Sequence, residues 1–260
     1  MSGVDIDATR VKVHRKGRGP ALVLLHCLGV DRRLWDIAAA GLEQDFTLIT
    51  YDFPGHGETP VPGHAYGVED LSAQLAAILA GEGIARAHLG GISLGGLVAQ
   101  HFAATYPDTV ERLVLMDTTP RYTDEMRGMW AVRAQQARER GVASLLASLL
   151  PIWFTDDFIA ADPPAVRYVR DCFAGDSGEG YGLACEALAA ADLRPLASRI
   201  AAPTLVIFGD QELPPFLDAA RWLEANIRGT QLHWLSPARH ASVLQQPEGF
   251  VRAVSAFLGA

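Results

Sequence analysis

Ser93 has a glycine two residues before it and another two residues after it, in the run Gly91-Ile92-Ser93-Leu94-Gly95. The residues before this run predict the end of a strand, and those after it predict a helix. A serine on such a sharp turn adopts strained backbone angles, and flanking glycines remove the Cβ atoms that would clash there. The turn exposes the hydroxyl beside a helix N-terminus. The pattern is therefore typical of a nucleophile.

A serine nucleophile needs a neighbouring base, and that base needs a third group to orient it. His240 lies in a loop that follows the last predicted strand, where a partner of Ser93 is expected. The preceding predicted strand ends in Gly209-Asp210-Gln211-Glu212, which offers two carboxylates within one turn. Spacing alone does not decide whether Asp210 or Glu212 orients the histidine.

The negative charge that develops on a carbonyl oxygen needs preset hydrogen-bond donors. We expect one donor to be the backbone N–H of Leu94, directly after the serine. The second is expected from the loop His26-Cys27-Leu28-Gly29 after an early strand, with the Leu28 N–H as the candidate. Cys27 is interpreted as a small buried residue, and His56 as a structural residue in a tight turn.

Short apolar runs alternate with amphipathic patterns along the chain. Several of the strands are continuous Leu/Val/Ile runs, which favours parallel strands covered on both faces. The alternation predicts an α/β fold, with a mostly parallel sheet between layers of helices. The predicted strands are Ala21–His26, Phe46–Asp52, Ala87–Gly91, Val110–Asp117, Pro203–Gly209 and Gln231–Leu235, and the predicted helices are Val68–Glu82, Gly96–Tyr106, Phe216–Asn226 and Gly249–Leu258.

One region breaks this alternation. From about residue 120 to residue 191 the patterns are helical, without a convincing strand, and this region lies between two strand-like segments. We therefore expect residues 120–191 to form a helical lid inserted into one core domain made of residues 1–119 and 192–260.

Composition excludes several classes of function. The formal net charge of −8 argues against nucleic acid as a partner, and no apolar stretch approaches the roughly 20 residues that span a bilayer. The three cysteines form neither a disulfide framework nor a metal-ligand set, so a reducing compartment is expected. Residues 1–7 lack a signal-peptide pattern. We expect a cytoplasmic protein with no metal, no cofactor and no membrane partner.

With these residues in place, the chain resembles an α/β-hydrolase and, more narrowly, the 3-oxoadipate enol-lactonases. The turn at Ser93, the run from Asp52 to Gly57 and His240 are shared by many hydrolases. The predicted lid carries the narrower resemblance. Its motifs are Trp130 with Arg133, Trp153-Phe154-Thr155 with Phe158, and Gly180-Tyr181 followed by Ala184-Cys185-Glu186-Ala187.

The resemblance implies a hydrolase of aromatic catabolism that opens a small acidic lactone through an acyl-enzyme, without cofactor or metal. It places the triad acid at Glu212, where these lactonases usually carry aspartate. It also implies that Trp130, Arg133 and Trp153 bind the substrate, with Arg133 meeting its carboxylate. A second departure is His26-Cys27, where similar lactonases tend to have Asn-Ser.

Two other interpretations stay open. The first is a carboxylesterase, a carbon–carbon bond hydrolase or a perhydrolase that uses the same Ser93 and His240. The second is a non-catalytic protein that uses the fold as a ligand cup, since a fold does not dictate a function. The substrate expected for the lactonase or esterase interpretation is a small lactone or ester.

Overall fold

The computed structural model describes residues 10–259. Residues 1–9 and 260 of the predicted core domain therefore lie outside the described residues, and so does the segment inspected for a signal peptide. Within the described range, seven strands form one sheet in the order β1-β3-β2-β4-β5-β6-β7. The strands are β1 (His14–Gly17), β2 (Ala21–Leu25), β3 (Thr47–Thr50), β4 (Ala87–Ile92), β5 (Val110–Met116), β6 (Thr204–Gly209) and β7 (Thr230–Leu235).

The sheet confirms the predicted α/β class and its mostly parallel pairing. β1 pairs antiparallel with β3, and every other neighbouring pair is parallel. The central strands β4 and β6 are buried along their whole length, as expected of strands covered by helices on both faces. β1 was not predicted, because this short edge strand of sequence HRKG is exposed and has no apolar run.

Helices cover the sheet and connect its strands. Those of the core are α1 (Leu34–Ala38), α2 (Val68–Gly81) and α3 (Leu94–Thr105), then α9 (Pro214–Asn226), α10 (Ser242–Gln245) and α11 (Pro247–Leu258). Between β5 and β6 lie α4 (Asp124–Arg140), α5 (Leu146–Trp153), α6 (Asp156–Ala160), α7 (Pro164–Gly175) and α8 (Gly178–Ala190). The four helices predicted in the core exist, with ends that differ by no more than two residues.

The two ends of the segment from residue 120 to residue 191 lie close together. A β-bridge joins Arg121 to Asp192, and the Leu193 N–H donates to the Pro120 carbonyl at 2.8 Å. Both ends of this segment are therefore held beside the carboxyl end of β5. We refer to residues 120–191 below as the inserted segment.

Because β2, β4, β5, β6 and β7 run parallel, their carboxyl ends meet at one edge of the sheet. Ligand-binding and reactive groups of open α/β sheets collect at this edge. The loops that carry Leu28, Ser93, Glu212 and His240 all follow these strands.

Candidate active site

Ser93 lies between the end of β4 and the first residue of α3, with φ +52° and ψ −109°. A non-glycine residue at such angles is strained by about 1–3 kcal/mol and needs its surroundings to hold it. Its N–H donates to the Met116 carbonyl at 2.9 Å, and its own carbonyl accepts from the Thr118 hydroxyl at 2.8 Å. The end of β5 therefore fixes the serine backbone.

The two glycines around Ser93 are required by close backbone contacts. A Cβ atom at Gly91 would lie 2.1 Å from the Gly95 carbonyl oxygen, and one at Gly95 would lie 2.4 Å from the Leu25 carbonyl oxygen. No side chain fits at these distances. The absence of Cβ atoms thus lets α3 start directly on the end of β2 and β4.

His240 joins the serine to a carboxylate. Its Nε2 lies 3.2 Å from Ser93 Oγ, and its Nδ1 lies 2.5 Å from Glu212 Oε1. Since a carboxylate accepts, Nδ1–H donates to Glu212, which leaves Nε2 as the acceptor of the serine proton. The second Glu212 oxygen accepts the Leu213 N–H at 3.0 Å. The glutamate side chain is fully buried, and its charge is held within this network.

The environment of His240 tunes its basicity. Burial alone would lower the pKa of the imidazole, but the charge of Glu212 and its hydrogen bond outweigh burial and hold the pKa above 6.5. The ring of Phe216 packs 4.5 Å from the imidazole ring. A histidine in this setting accepts a proton readily at neutral pH.

Asp210, the other carboxylate of the same turn, does not contact His240. It accepts the Ser236 hydroxyl at 2.6 Å and the Ala238 N–H at 3.1 Å. It therefore anchors the loop that leads to the histidine. Of the two candidates that spacing left open, the structure brings Glu212 to the imidazole.

The structure places both residues expected to supply oxyanion donors at the site. Leu94 is the first residue of α3, and Leu28 lines the same cavity as Ser93. Within residues 10–259, neither backbone N–H donates to a protein acceptor. The preceding His26 is locked in the core, because it bonds the Cys27 carbonyl through Nδ1 and accepts the Phe53 N–H at Nε2.

A cavity of about 190 Å³ opens above Ser93. Its lining is mostly apolar and aromatic, and it includes Trp130, Arg133 and Trp153, the three residues expected to bind substrate. The Arg133 guanidinium lies 4.7 Å from the centre of the Trp130 ring, a cation–π contact. The full lining is Leu28, Ser93, Tyr122, Thr123, Glu125, Met126, Met129, Trp130, Arg133, Leu149, Ile152, Trp153, Tyr181, Leu213, Pro215, Phe216 and His240.

Asp117 is a buried carboxylate that the sequence patterns did not single out. It follows β5 with φ +42°. One oxygen accepts the Gly209 N–H at 3.1 Å, and the other accepts the Ser242 N–H at 3.1 Å and the Ser242 hydroxyl at 2.6 Å. It thus ties the turn of Glu212 to the loop of His240. Burial, together with the charge of Glu212, raises its pKa to about 8.

Tyr122 was also missed, because it lies in the loop after β5, where no motif marks it. It is buried and lines the cavity beside Ser93. The position of Asp117, by contrast, could have been recognised in the sequence. A charged residue at the end of a buried apolar strand lies at the carboxyl edge of the sheet, where binding and catalytic sites form.

The two other residues considered from the sequence, Cys27 and His56, take no part in the hydrogen-bonded chain of Ser93, His240 and Glu212. Cys27 is buried, and burial raises the pKa of its thiol. His56 is buried with Nδ1 at 3.2 Å from the Pro54 carbonyl. Among residues 10–259, no three His, Cys, Asp or Glu side chains are grouped so as to hold a metal ion. In the same range, no helix is long and apolar enough to cross a membrane.

Comparison with known proteins relates most of the chain to one family. The family model described as the alpha/beta hydrolase fold matches residues 20–156. The chain is 33% identical to 3-oxoadipate enol-lactonase 2 of Acinetobacter baylyi, over 92% of this chain and 88% of that protein. It is 32% identical to a pimeloyl-[acyl-carrier protein] methyl ester esterase of Chromobacterium violaceum, over 95% and 97% of the two chains.

Solved structures agree with these sequence matches. The crystal structure of the enol-lactonase from Burkholderia xenovorans LB400 superposes with a TM-score of 0.91 at 34% identity, and 96% of each chain is covered. The fold and its sheet are therefore shared over nearly the full length.

The contact between Ser242 and Asp117 yields a stability prediction. Ser242→Ala removes a buried hydroxyl donor from a buried carboxylate, and we expect it to lower the free energy of unfolding by about 1–3 kcal/mol. Chemical denaturation measures this directly. The matched control is Ser72→Ala, since the Ser72 hydroxyl is equally buried and has no partner in the described part of the chain. The control should be neutral or stabilising; equal losses would contradict the role given to Asp117.

Proposed function

The chain belongs to the α/β-hydrolase family, and we propose that it is a serine hydrolase that cleaves a small lactone or ester. Ser93 is the nucleophile, His240 the general base and Glu212 the acid that orients the base. The substrate proposed first is an enol-lactone of the 3-oxoadipate type. Relatives of this chain that are named as enol-lactonases support this choice of substrate.

The hydrogen-bonded chain from Ser93 through His240 to Glu212 is the observation that carries the proposal. It ends in a strained serine at the floor of a cavity, next to a helix N-terminus. The buried glutamate keeps the imidazole in the tautomer that accepts at Nε2. A surface serine with a chance histidine neighbour lacks this buried third partner.

The proposed reaction has two steps. His240 Nε2 takes the Ser93 proton while Oγ attacks the carbonyl carbon, and the Leu28 and Leu94 N–H groups stabilise the oxyanion. The intermediate collapses as the carbon–oxygen bond to the leaving group breaks, and His240 returns the proton to that oxygen. Water activated by His240 then attacks the acyl-enzyme, and the acid product and free Ser93 are released.

Arg133 supplies the preference for an acidic substrate in this proposal. Its guanidinium lines a largely apolar cavity whose lining also includes Glu125. None of the salt bridges among the described residues involves Arg133. A substrate carboxylate can therefore bind it without displacing a protein partner. Stacking on Trp130 holds the group in place.

A second candidate function is hydrolysis of a carboxylic ester rather than a lactone. The relative named as a pimeloyl-[acyl-carrier protein] methyl ester esterase favours it, at nearly the same identity and coverage as the lactonase. The same catalytic residues would serve, as they would in a carbon–carbon bond hydrolase or a perhydrolase.

We place the activity in the cytoplasm, which the three buried free cysteines support.

A substrate panel separates these candidates. The panel contains an enol-lactone of the 3-oxoadipate type, aryl and alkyl esters, and methyl esters of long-chain dicarboxylic acids. We expect the highest kcat/KM on the enol-lactone and loss of all turnover in Ser93→Ala with folding unchanged. Far better turnover of simple aryl esters would contradict the lactonase proposal, and persistent turnover in Ser93→Ala would contradict the nucleophile.

The choice between the two carboxylates is tested by neutral isosteres. Glu212→Gln removes the charge that raises the His240 pKa, so we expect kcat/KM to fall by about 10²–10⁴-fold. The acid limb of its pH profile should also move to lower pH, because the base then loses its proton more easily. Asp210→Asn is the matched control and should stay within tenfold of the wild type (about 1.4 kcal/mol per tenfold). The reverse ranking would assign the acid to Asp210.

Arg133 is tested by its effect on KM. Arg133→Met keeps the aliphatic stem on Trp130 but removes the cation, so KM for a carboxylate-bearing substrate should rise about 10–100-fold. KM for a neutral ester of similar size should change little. Arg140→Met, on the same helix but outside the cavity lining, controls for loss of charge. A similar rise for neutral and acidic substrates would mean that Arg133 only packs.

A further inference from the structure

The C-terminal end of α5 is capped by the loop that carries His240. The last carbonyl groups of a helix have no partner within it. At this end, three successive carbonyls accept hydrogen bonds from three successive residues of the loop. The bonds run from Arg239 Nη1 to Pro151 at 2.6 Å, from the His240 N–H to Ile152 at 3.4 Å and from the Ala241 N–H to Trp153 at 3.0 Å. The loop of the proposed base therefore lies directly against the inserted segment.

The Arg239 guanidinium binds this helix end through one nitrogen. Besides the Pro151 carbonyl, Nη1 donates to the Phe154 carbonyl at 3.1 Å and lies 3.0 Å from Asp156 Oδ1. A cation is stabilised at a helix C-terminus, where the partial charge of the helix is negative. The Asp156 side chain is 82% exposed, and an ion pair with such a group contributes little. The two carbonyl groups are therefore the main partners of the guanidinium.

Gln245 ties the backbone of Arg239 to the same corner of the inserted segment. Its Oε1 accepts the Arg239 N–H at 3.3 Å and the Thr155 N–H at 3.4 Å. Its Nε2 donates to the Thr155 hydroxyl at 2.5 Å. Gln245 is buried, so these bonds are formed in surroundings of low dielectric constant, where they are stronger than in water. The residue before His240 is thus held through its backbone as well as through its guanidinium.

The end of α5 contacts both the cavity and the loop of His240. The side chains of Ile152 and Trp153 line the cavity, and their carbonyls accept the N–H groups of the loop. The wall that would contact the substrate is therefore bonded directly to the backbone of the proposed base. Arg239 is outside the cavity lining, so its influence on the reaction must pass through His240.

We propose that Arg239 is a positioning residue, whose guanidinium fixes the main chain of His240 against α5 and thereby keeps the imidazole aligned with its two partners. The proposal rests on the proposed function, in which His240 is the general base. Nε2 of the imidazole lies 3.2 Å from Ser93 Oγ, and Nδ1 lies 2.5 Å from Glu212 Oε1. A displacement of about 1 Å from such a geometry can slow a reaction on the order of 100-fold.

A positioning role has a kinetic signature that a merely structural role lacks. His240 is the base in both acylation and deacylation, so a misaligned imidazole slows the two steps together. The value of kcat then falls while KM changes little. Loss of structural support alone would lower the amount of folded enzyme, and kcat per active site would stay the same.

The experiment measures kcat and KM for phenyl acetate in Arg239→Met and Arg239→Lys, with active sites counted by fluorophosphonate labelling carried to completion. We expect Arg239→Met to lose about 10–100-fold in kcat per active site, with KM within about threefold of the wild type. Arg239→Lys should recover most of that loss, because one nitrogen of Arg239 serves all three acceptors and a lysine ammonium has three donors. A wild-type kcat per active site in Arg239→Met would overturn the proposal, as would a loss confined to KM or equal losses in the two variants.

Two further variants keep this test decisive. Arg167→Met is the matched control, since Arg167 Nη1 bonds the carbonyl and the carboxylate of Asp162, and neither contact reaches the loop of His240. It should leave kcat within about twofold of the wild type. If Arg239→Met does not fold, Gln245→Met removes the acceptor of the Arg239 N–H and should lower kcat with KM unchanged. A wild-type kcat in Gln245→Met would then overturn the proposal.

The outcomes for Arg239 and for the proposed function are distinguishable. If the wild type hydrolyses phenyl acetate and Ser93→Ala does not, the nucleophile stands whatever the kcat of the Arg239 variants. If Ser93→Ala retains the wild-type rate, the proposed function fails together with the role of Arg239.

Discussion

The strained backbone at Ser93 is the constraint on which the rest of the site depends. A positive φ at a serine persists only where the surroundings hold it. Here the end of β5 holds the N–H and the carbonyl of the residue, and Gly91 and Gly95 allow backbone contacts that no side chain would permit. The hydroxyl is thereby placed at a helix N-terminus and within reach of His240.

At the same edge of the sheet, hydrogen bonds of three carboxylates hold the loops of the site in place. Asp117 bonds the end of β6 and the loop of the histidine at once, while Asp210 fixes that loop from the other side. Only Glu212 is left to face the imidazole. Three carboxylates at neighbouring strand ends thus have separate tasks, and these tasks are set by the donors that each one meets. Asp210 is exposed, whereas Asp117 and Glu212 are buried. Burial of these two acids is tolerable because each accepts two or more hydrogen bonds, from backbone and hydroxyl groups or from the imidazole.

Much of this arrangement was predictable from the sequence. The parallel strands show as continuous apolar runs, the turn at Ser93 shows in its glycines, and the position of His240 follows from the strand order. β1 was missed because an exposed edge strand of basic residues has no hydrophobic period. The choice between Asp210 and Glu212 depends on side-chain direction within one turn, which spacing does not encode. Tyr122 lies in an irregular loop, and its proximity to Ser93 comes from packing against residues of the inserted segment and of α9.

The central claim is that Ser93, activated by His240, forms a covalent acyl-enzyme. Labelling with a fluorophosphonate probe, followed by intact mass and peptide mapping, tests it most directly. The account predicts one adduct per chain, located on Ser93, with labelling slowed at least 100-fold in a folded His240→Ala variant (about 2.7 kcal/mol). An unlabelled Ser93 in protein that circular dichroism shows to be folded would contradict the account.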